Sequence, residues 1–360
     1  MTVSVKGGKI NGIAQNPKGK ALDFSDRIAV PGFIDIHTHG IHGIDSYTAD
    51  PGDYVEWRDK VIETGTTAFI PTLVSSSLDT TEHFLTSVEN GAMIDRELAA
   101  DIIGARMEGP FINPEKKGAH DPQFLRHAGD ESTMAVILRH KSILRIIDIA
   151  PELDGALRAI DRLVKEGIIV SMGHTLSDED TAARAYAAGA NLITHFHNAM
   201  PEFNHRKPSI LDFGYIQKDI FIELICDLVH TSSSAIRIAT RQKDRGTIIL
   251  ITDSISATMK GDGKYSLGEL PVLVRGGKCT IEGTDTIAGS ILTLDAALRN
   301  LISLGYRLED IGQYLSTNQS RLLKIGDRGL IRKDFRADIA ILDKAFKVKG
   351  IIKNGKLKEF

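Results

Sequence analysis

The chain has 360 residues, with 44 Lys plus Arg against 47 Asp plus Glu, so a formal charge of −3 leaves no basic surplus to neutralise a phosphate backbone and argues against a nucleic-acid partner. At 42% hydrophobic and 25% charged residues the composition is that of a globular protein able to bury a large core, which excludes wholesale disorder and a coiled coil. Cys226 and Cys279 cannot build a disulfide framework, the opening MTVSVKGGKING lacks the apolar core of a secretory signal, and no apolar run approaches the ~20 residues that span a bilayer, so the expectation is a cytoplasmic protein with no membrane contact.

In chain order, the first 30 residues alternate short β-branched runs with Gly and Asn turns (Val3 to Val5, Gly7-Gly8, Arg27 to Val30) and predict small antiparallel strands. Strand-like apolar runs follow at 33–37, 67–73, 102–108, 144–150, 168–174, 192–197, 221–227 and 248–253. Segments with helical spacing join most of them: Leu157, Ile160, Leu163 and Val164 in one, and in another the alanine-rich stretch from Thr181 to Ala188 behind Ser177-Asp178-Glu179. Eightfold strand-helix alternation predicts a TIM-like (β/α)8 barrel, an α/β fold; an open doubly wound sheet shows the same local pattern, and the strand count with two β ends favours the barrel. The last residues return to strand: Ala337 to Leu342, then Ile351-Ile352 running into the turn pair Asn354-Gly355. Trp57 reads as helix packing and Arg241 to Arg245 as a solvated helix face.

Polar residues interrupt the eight runs at one end. His37, His39, Glu108, His174, His195, His197 and Asp253 all fall at or just past a predicted strand's C-terminus, the face on which barrel enzymes build their sites. His37 and His39, at i and i+2 on one strand, can share a face and a metal. Glu108 precedes a Gly-Pro break and reads equally as a structural ion pair to Arg106 or as a ligand. With His174 and His195 it makes a one-carboxylate, two-imidazole set suited to Zn²⁺ or Fe²⁺ with a coordination position left for water. Asp253 suits a metal ligand or a base passing a proton to a leaving amine, with a turn or cap aspartate as the bland alternative.

The segments PGFIDIHTHG (31–40), EGPFINPEKKGAH (108–120), SMGHT (171–175), THFHNAMP (194–201), ITDS (251–254) and the terminal RADIAILD together resemble the N-acetylglucosamine-6-phosphate deacetylases, in that family's order and over nearly the whole chain. The resemblance implies a barrel over residues 31–329 and a small β-sandwich domain from residues 1–30 and 330–360. It implies that Glu108, His174 and His195 are the main metal ligands, that His37 and His39 hold a second metal bridged by the glutamate, giving one or two ions per subunit, and that Asp253 is the general acid and base. It further implies that His120, beside Ala119, faces the acetamido carbonyl, that Asn198 and Ala199 contact the sugar phosphate with Arg206 and His230 on the phosphate, and that Ile287, Ala288 and Gly289 close over the sugar. The substrate would be a phosphorylated N-acetyl amino sugar and the assembly a homodimer. Three positions depart from the family: Leu228 and Ser209 stand where it has glycine, and His197 where it has an aromatic, the last favouring packing or a substrate contact on a strand face shared with His195. Deacetylation of another N-acyl sugar such as N-acetylgalactosamine 6-phosphate is the alternative. A dihydroorotase-like amidase is disfavoured because the fourth run lacks lysine, and a non-catalytic scaffold because every ligand and the base are present.

Overall fold

A computed structural model describes residues 2–14 and 22–360. Eight parallel strands form its centre: β1 (Phe33–Thr38), β2 (Thr66–Leu73), β3 (Ala105–Phe111), β4 (Leu144–Ile149), β5 (Ile169–Met172), β6 (Leu192–Ile193), β7 (Phe221–Ile225) and β8 (Ile248–Ile251). Each pairs with its sequence neighbour. The ring closes where β8 meets β1: Asp253 N donates to His37 O at 2.9 Å and His39 N to Ser254 O at 2.7 Å. These strands are buried on both faces, which explains why they read as continuous apolar runs rather than alternating ones.

Helices fill every crossover and follow their sequence signals. Ala156–Lys165 turns Ala156, Ala159, Ile160 and Leu163 inward, and Glu179–Ala187 begins where the Asp178 carboxylate accepts from Thr181 N at 2.8 Å. Trp57, fully buried on Pro51–Val61, stacks on Phe69 of β2 with ring centroids 5.3 Å apart.

Three expectations are corrected and one element is added. The third run is not one strand: Asp101–Ile102 pairs with β2, and β3 begins at Ala105 and continues through Glu108 to Phe111, so Glu108 sits within the strand. β6 stops at Ile193, because His195 and His197 adopt left-handed φ values of 27° and 83°, and they share no strand face. The charge run at 241–245 is not wholly solvated: Lys243 is buried and donates to the carbonyls of Gln217 (2.6 Å) and Ile220 (2.8 Å). An antiparallel sheet, Gly263–Leu267, Leu270–Arg275 and Lys278–Ile281, lies between β8 and its helix Leu294–Ser303, and packs on Val74, Ile255 and Ala288 as a second core.

The chain ends meet. Ile28–Pro31 runs antiparallel to Ile339–Leu342, which continues into Val348–Lys353 and Lys356–Glu359 around the Asn354-Gly355 turn. The hairpin Thr2–Lys6 with Lys9–Ala14 joins them through Ile10 N to Phe335 O at 2.8 Å. Fully buried Lys353 ties this sheet to the barrel, its Nζ 2.8 Å from Asp101 and 3.0 Å from Asp338.

Candidate active site

The predicted chemical residues converge at the C-terminal mouth of the barrel. His174, His195 and Asp253 follow their strands directly, and each has positive φ, 47°, 27° and 53°. A residue with a side chain pays about 1–3 kcal/mol there, so surrounding contacts must hold the turns. Those contacts are present: Asn113 N donates to His174 O (2.9 Å), and Asp253 is gripped by its own N to His37 O and by Ser290 N to its carbonyl (2.7 Å).

Glu108, 5% exposed, stands between two sets of side chains. Its Oε1 lies 3.0 Å from the Nε2 atoms of both His174 and His195, which are 3.1 Å from each other. On the other side His37 and His39 bring their Nε2 atoms to 3.2 Å, with Asp253 Oδ1 at 3.1 Å from His39 and 3.5 Å from His37, and Glu108 at 3.3 and 3.5 Å.

Hydrogen bonds on the far ring nitrogens fix the tautomers. His174 Nδ1 donates to Lys116 O (2.8 Å), His39 Nδ1 to Thr72 O (3.1 Å) and His37 Nδ1 to Glu223 Oε2 (3.3 Å). When neutral, these three rings turn Nε2 lone pairs into the cluster, and lone pairs facing each other at such distances repel unless a positive charge lies between them. Two nitrogens at 2.0–2.1 Å from a tetrahedral Zn²⁺ lie about 3.3 Å apart, so both histidine pairs fit a divalent cation. The two carboxylates favour positive charge at this spot: burial opposes protonation of His37 and His39, yet Glu108 and Asp253 raise them to about 10 and about 9, so that here protons stand where a cation would. Burial likewise works against ionised Asp253, but His37 and His39 hold its carboxyl down at about 2, so it is charged at neutral pH.

His120 belongs to the cluster by distance, 3.3 Å from Glu108 Oε2, but not by tautomer. Ser75 N donates to its Nδ1 at 3.1 Å, leaving Nε2 as an N–H donor without a lone pair for a metal. Burial lowers its pKa to about 4, so it is neutral.

Sequence reasoning missed the layer beneath. Arg106 is fully buried and does not pair with Glu108; it binds Asp148 (2.9 and 3.1 Å) and both oxygens of Glu223. The Arg106 charge and the His37 hydrogen bond overcome burial and hold Glu223 at about 2. The only signal in the sequence was a charge inside each of three apolar runs.

Residues expected at the phosphate end are placed more loosely. Arg206 is exposed, and among the described residues nothing holds its guanidinium. His230 is half-buried against Asp227 Oδ2 at 2.6 Å. Asn198 Nδ2 donates to His195 O (3.2 Å), and Ala199 has φ 52°. Leu228 adopts φ 68°, so the loop keeps a glycine-type turn without glycine, while Ser209 has an ordinary φ of −132° and caps the helix Ile210–Ile216. His197 points its Nε2 at Tyr215 OH (2.7 Å) and takes no part in the cluster. Ile287 bridges to Thr280 of the inserted sheet, Ala288 is buried, and Gly289 (φ 59°) passes so close to Ile255 that a Cβ would lie 2.5 Å from it.

Residues 28–358 match the amidohydrolase family. The chain is 34% identical over 346 residues to the N-acetylglucosamine-6-phosphate deacetylase of Bos taurus, covering 92% of this chain and 83% of that one. It is 31% identical over 349 residues to the Bacillus subtilis (strain 168) enzyme of the same name, covering 94% and 88%. Among solved structures, the N-acetylglucosamine-6-phosphate deacetylase of Thermotoga maritima superposes with TM-score 0.89 at 31% identity, over 99% of this chain and 94% of that one. A point mutant of the Mycobacterium smegmatis deacetylase in complex with N-acetyl-D-glucosamine-6-phosphate gives 0.90 at 27%, over 99% and 93%.

Proposed function

Because the chain belongs to the amidohydrolase family and, within it, to the N-acetylglucosamine-6-phosphate deacetylases, we propose that it hydrolyses the acetamide of N-acetylglucosamine 6-phosphate to glucosamine 6-phosphate and acetate. The observation that carries this reading is the convergence of Glu108, the Nε2 atoms of four histidines and ionised Asp253 on one pocket, with the His120 N–H beside it. Glu108, His174 and His195 would hold a divalent cation, Zn²⁺ or Fe²⁺, and His37 and His39 a second one across Glu108. Such a cation polarises the amide and acidifies water.

The protein's own groups do the rest. The Asp253 carboxylate accepts the proton of the attacking water and returns it to the departing nitrogen, which would otherwise leave as an unstable amide anion. The His120 Nε2–H donates to the carbonyl oxygen as negative charge grows on it. Arg206 and His230 bind the phosphate, Asn198 and the Ala199 backbone the sugar phosphate, and Ala119, Ile287, Ala288 and Gly289 line the sugar's surroundings.

The proposal includes a homodimer, supported by the exposed Arg206 and, three residues before it, by Phe203, which is 67% exposed. It includes a cytoplasmic location, supported by two unpaired cysteines; among the described residues no helix is long and apolar enough to cross a membrane. It divides the chain near residues 30 and 330, where Ile28–Pro31 joins the C-terminal sheet. Acetate release by metal-loaded protein tests the reading, with N-acetylglucosamine 6-phosphate beside its galactose epimer and the unphosphorylated sugar. Release is expected only from the first; equal release from the unphosphorylated sugar would remove the phosphate site from the account. Light scattering of the eluting protein reads the dimer.

A further inference from the structure

Arg106, Asp148 and Glu223 are each fully buried inside the barrel, one layer below the ligand cluster. Burying three charges is costly, and apolar side chains of like volume fill such a layer with equal or greater stability, so an ion pair here needs a reason other than stability. Its contacts supply one. Arg106 fastens Glu223 by both carboxylate oxygens and is itself anchored by Asp148, Thr194 Oγ1 (3.2 Å) and Ile36 O (3.2 Å). Held in this way, Glu223 Oε2 takes two further bonds, from His37 Nδ1 at 3.3 Å and from the backbone N of His195 at 3.1 Å. His37 belongs to the set with His39 and Asp253, and His195 to the set with His174 and Glu108. One carboxylate therefore supports a member of each set, although the two histidines lie on opposite sides of the strand order, on β1 and after β6.

We infer that Glu223, clamped by Arg106, is a positioning residue that couples the two metal positions. It fixes the Nδ1–H tautomer of His37, so that Nε2 faces the cluster, and it holds the left-handed turn that presents His195. This inference rests on the proposed reading of the cluster as a metal centre. Outer partners of this kind are typically worth 10–100-fold in metal affinity. The His37–His39 position should suffer most when the carboxylate is lost, because there Glu223 bonds the ligand ring itself.

The test is Zn²⁺ binding by the full chain, with calorimetry for affinity and elemental analysis for ions per chain. Glu223→Gln keeps the volume and removes the charge, and should bind the weaker ion about 10–100-fold less tightly. Asp148→Asn loosens the same arginine but touches neither histidine, and should weaken binding less than Glu223→Gln does. Unchanged binding by Glu223→Gln overturns the inference, as does an equal loss in Asp148→Asn, which would mean that net charge rather than position matters. Absence of Zn²⁺ binding by the unsubstituted protein overturns the metal-centre reading itself, a separate outcome. Should Glu223→Gln fail to fold, ¹⁵N-histidine spectra of the unsubstituted protein read the His37 tautomer directly: a proton on Nδ1 supports the inference and a proton on Nε2 alone overturns it.

Discussion

Glu108, at the cluster end of the pocket, is 5% exposed and lies within 3.5 Å of five imidazoles, whereas Arg206, at the phosphate end, is exposed with nothing described around its guanidinium. The cluster residues are positioned by folding: the far nitrogens of His37, His39 and His174 are bonded, the strained turns are gripped, and a second layer of charge lies under them. The residues proposed for the phosphate sit on loops, with Arg206 exposed and His230 held, among the described residues, by Asp227 alone. On the proposed reading, preorganisation is concentrated where charge is stabilised in the transition state, and adaptability where the phosphate is captured.

The largest effect should come from the base. Asp253→Asn keeps the side-chain shape and its grip on the turn, removes the proton acceptor, and should lower kcat about 10²–10⁴-fold with KM little changed. A loss of only a few fold in single-turnover acetate release would show that proton transfer lies elsewhere, and the cluster end would then be a binding site like its counterpart. Next in size is His120→Asn. The tautomer set by Ser75 leaves His120 an N–H for the carbonyl oxygen on the proposed reading, so kcat should fall about 10²–10³-fold while ions per chain stay constant. Because distance alone groups His120 with Glu108 and His174 as a possible ligand set, loss of an ion in this variant would refute the donor role.

At the phosphate end the effects should appear in KM. Arg206→Ala is expected to raise KM for the phosphorylated sugar about tenfold with kcat nearly intact, and the effect should shrink as salt is added because the group is exposed. His230 gives the pH dependence. Burial works against its charge, but the Asp227 carboxylate wins and raises the imidazole above its ordinary value. A raised pKa means the cationic, phosphate-binding form persists to higher pH than in an ordinary imidazole, so KM should stay low below the raised value and climb as pH passes it. Asp227→Asn should move that climb to lower pH; an unmoved KM profile would take His230 out of the phosphate site.

The same contrast governs what the sequence reveals. The barrel is legible because strands buried on both faces must be apolar throughout, and the cluster is legible because His37, Glu108, His174, His195 and Asp253 break those runs at one end. The layer beneath is not, since Arg106 finds Asp148 across 42 residues and Glu223 across 117, and each looks alone like an interruption. The end of β6 is hidden for a different reason: left-handed φ at His195 and His197 has no marker when the residue is not glycine. Lys243 reads as part of a solvated charge run, although its stem is buried and its ammonium caps carbonyls. The inserted sheet escapes a reading built on continuous apolar runs because its strands alternate instead, as in Gly263–Leu267, the pattern of a strand buried on one face only.

The smallest expected effect separates strain that serves chemistry from strain that does not. His174, His195 and Asp253 share positive φ with Leu228, but their side chains are the cluster, whereas the Leu228 side chain is 40% exposed and belongs to the phosphate loop. A left-handed leucine costs about 1–2 kcal/mol, and glycine at that position recovers most of it while adding about 0.5–1 kcal/mol of unfolded-state entropy. Leu228→Gly should therefore stabilise the protein by about 1 kcal/mol or less, a rise of one or two degrees in Tm, with kcat and KM within about twofold. A lower Tm would mean that the half-exposed leucine packs for more than its backbone costs. A KM raised well beyond twofold at unchanged Tm would mean that the stiff turn sets His230 in place, and the phosphate end would then share the preorganisation of the cluster.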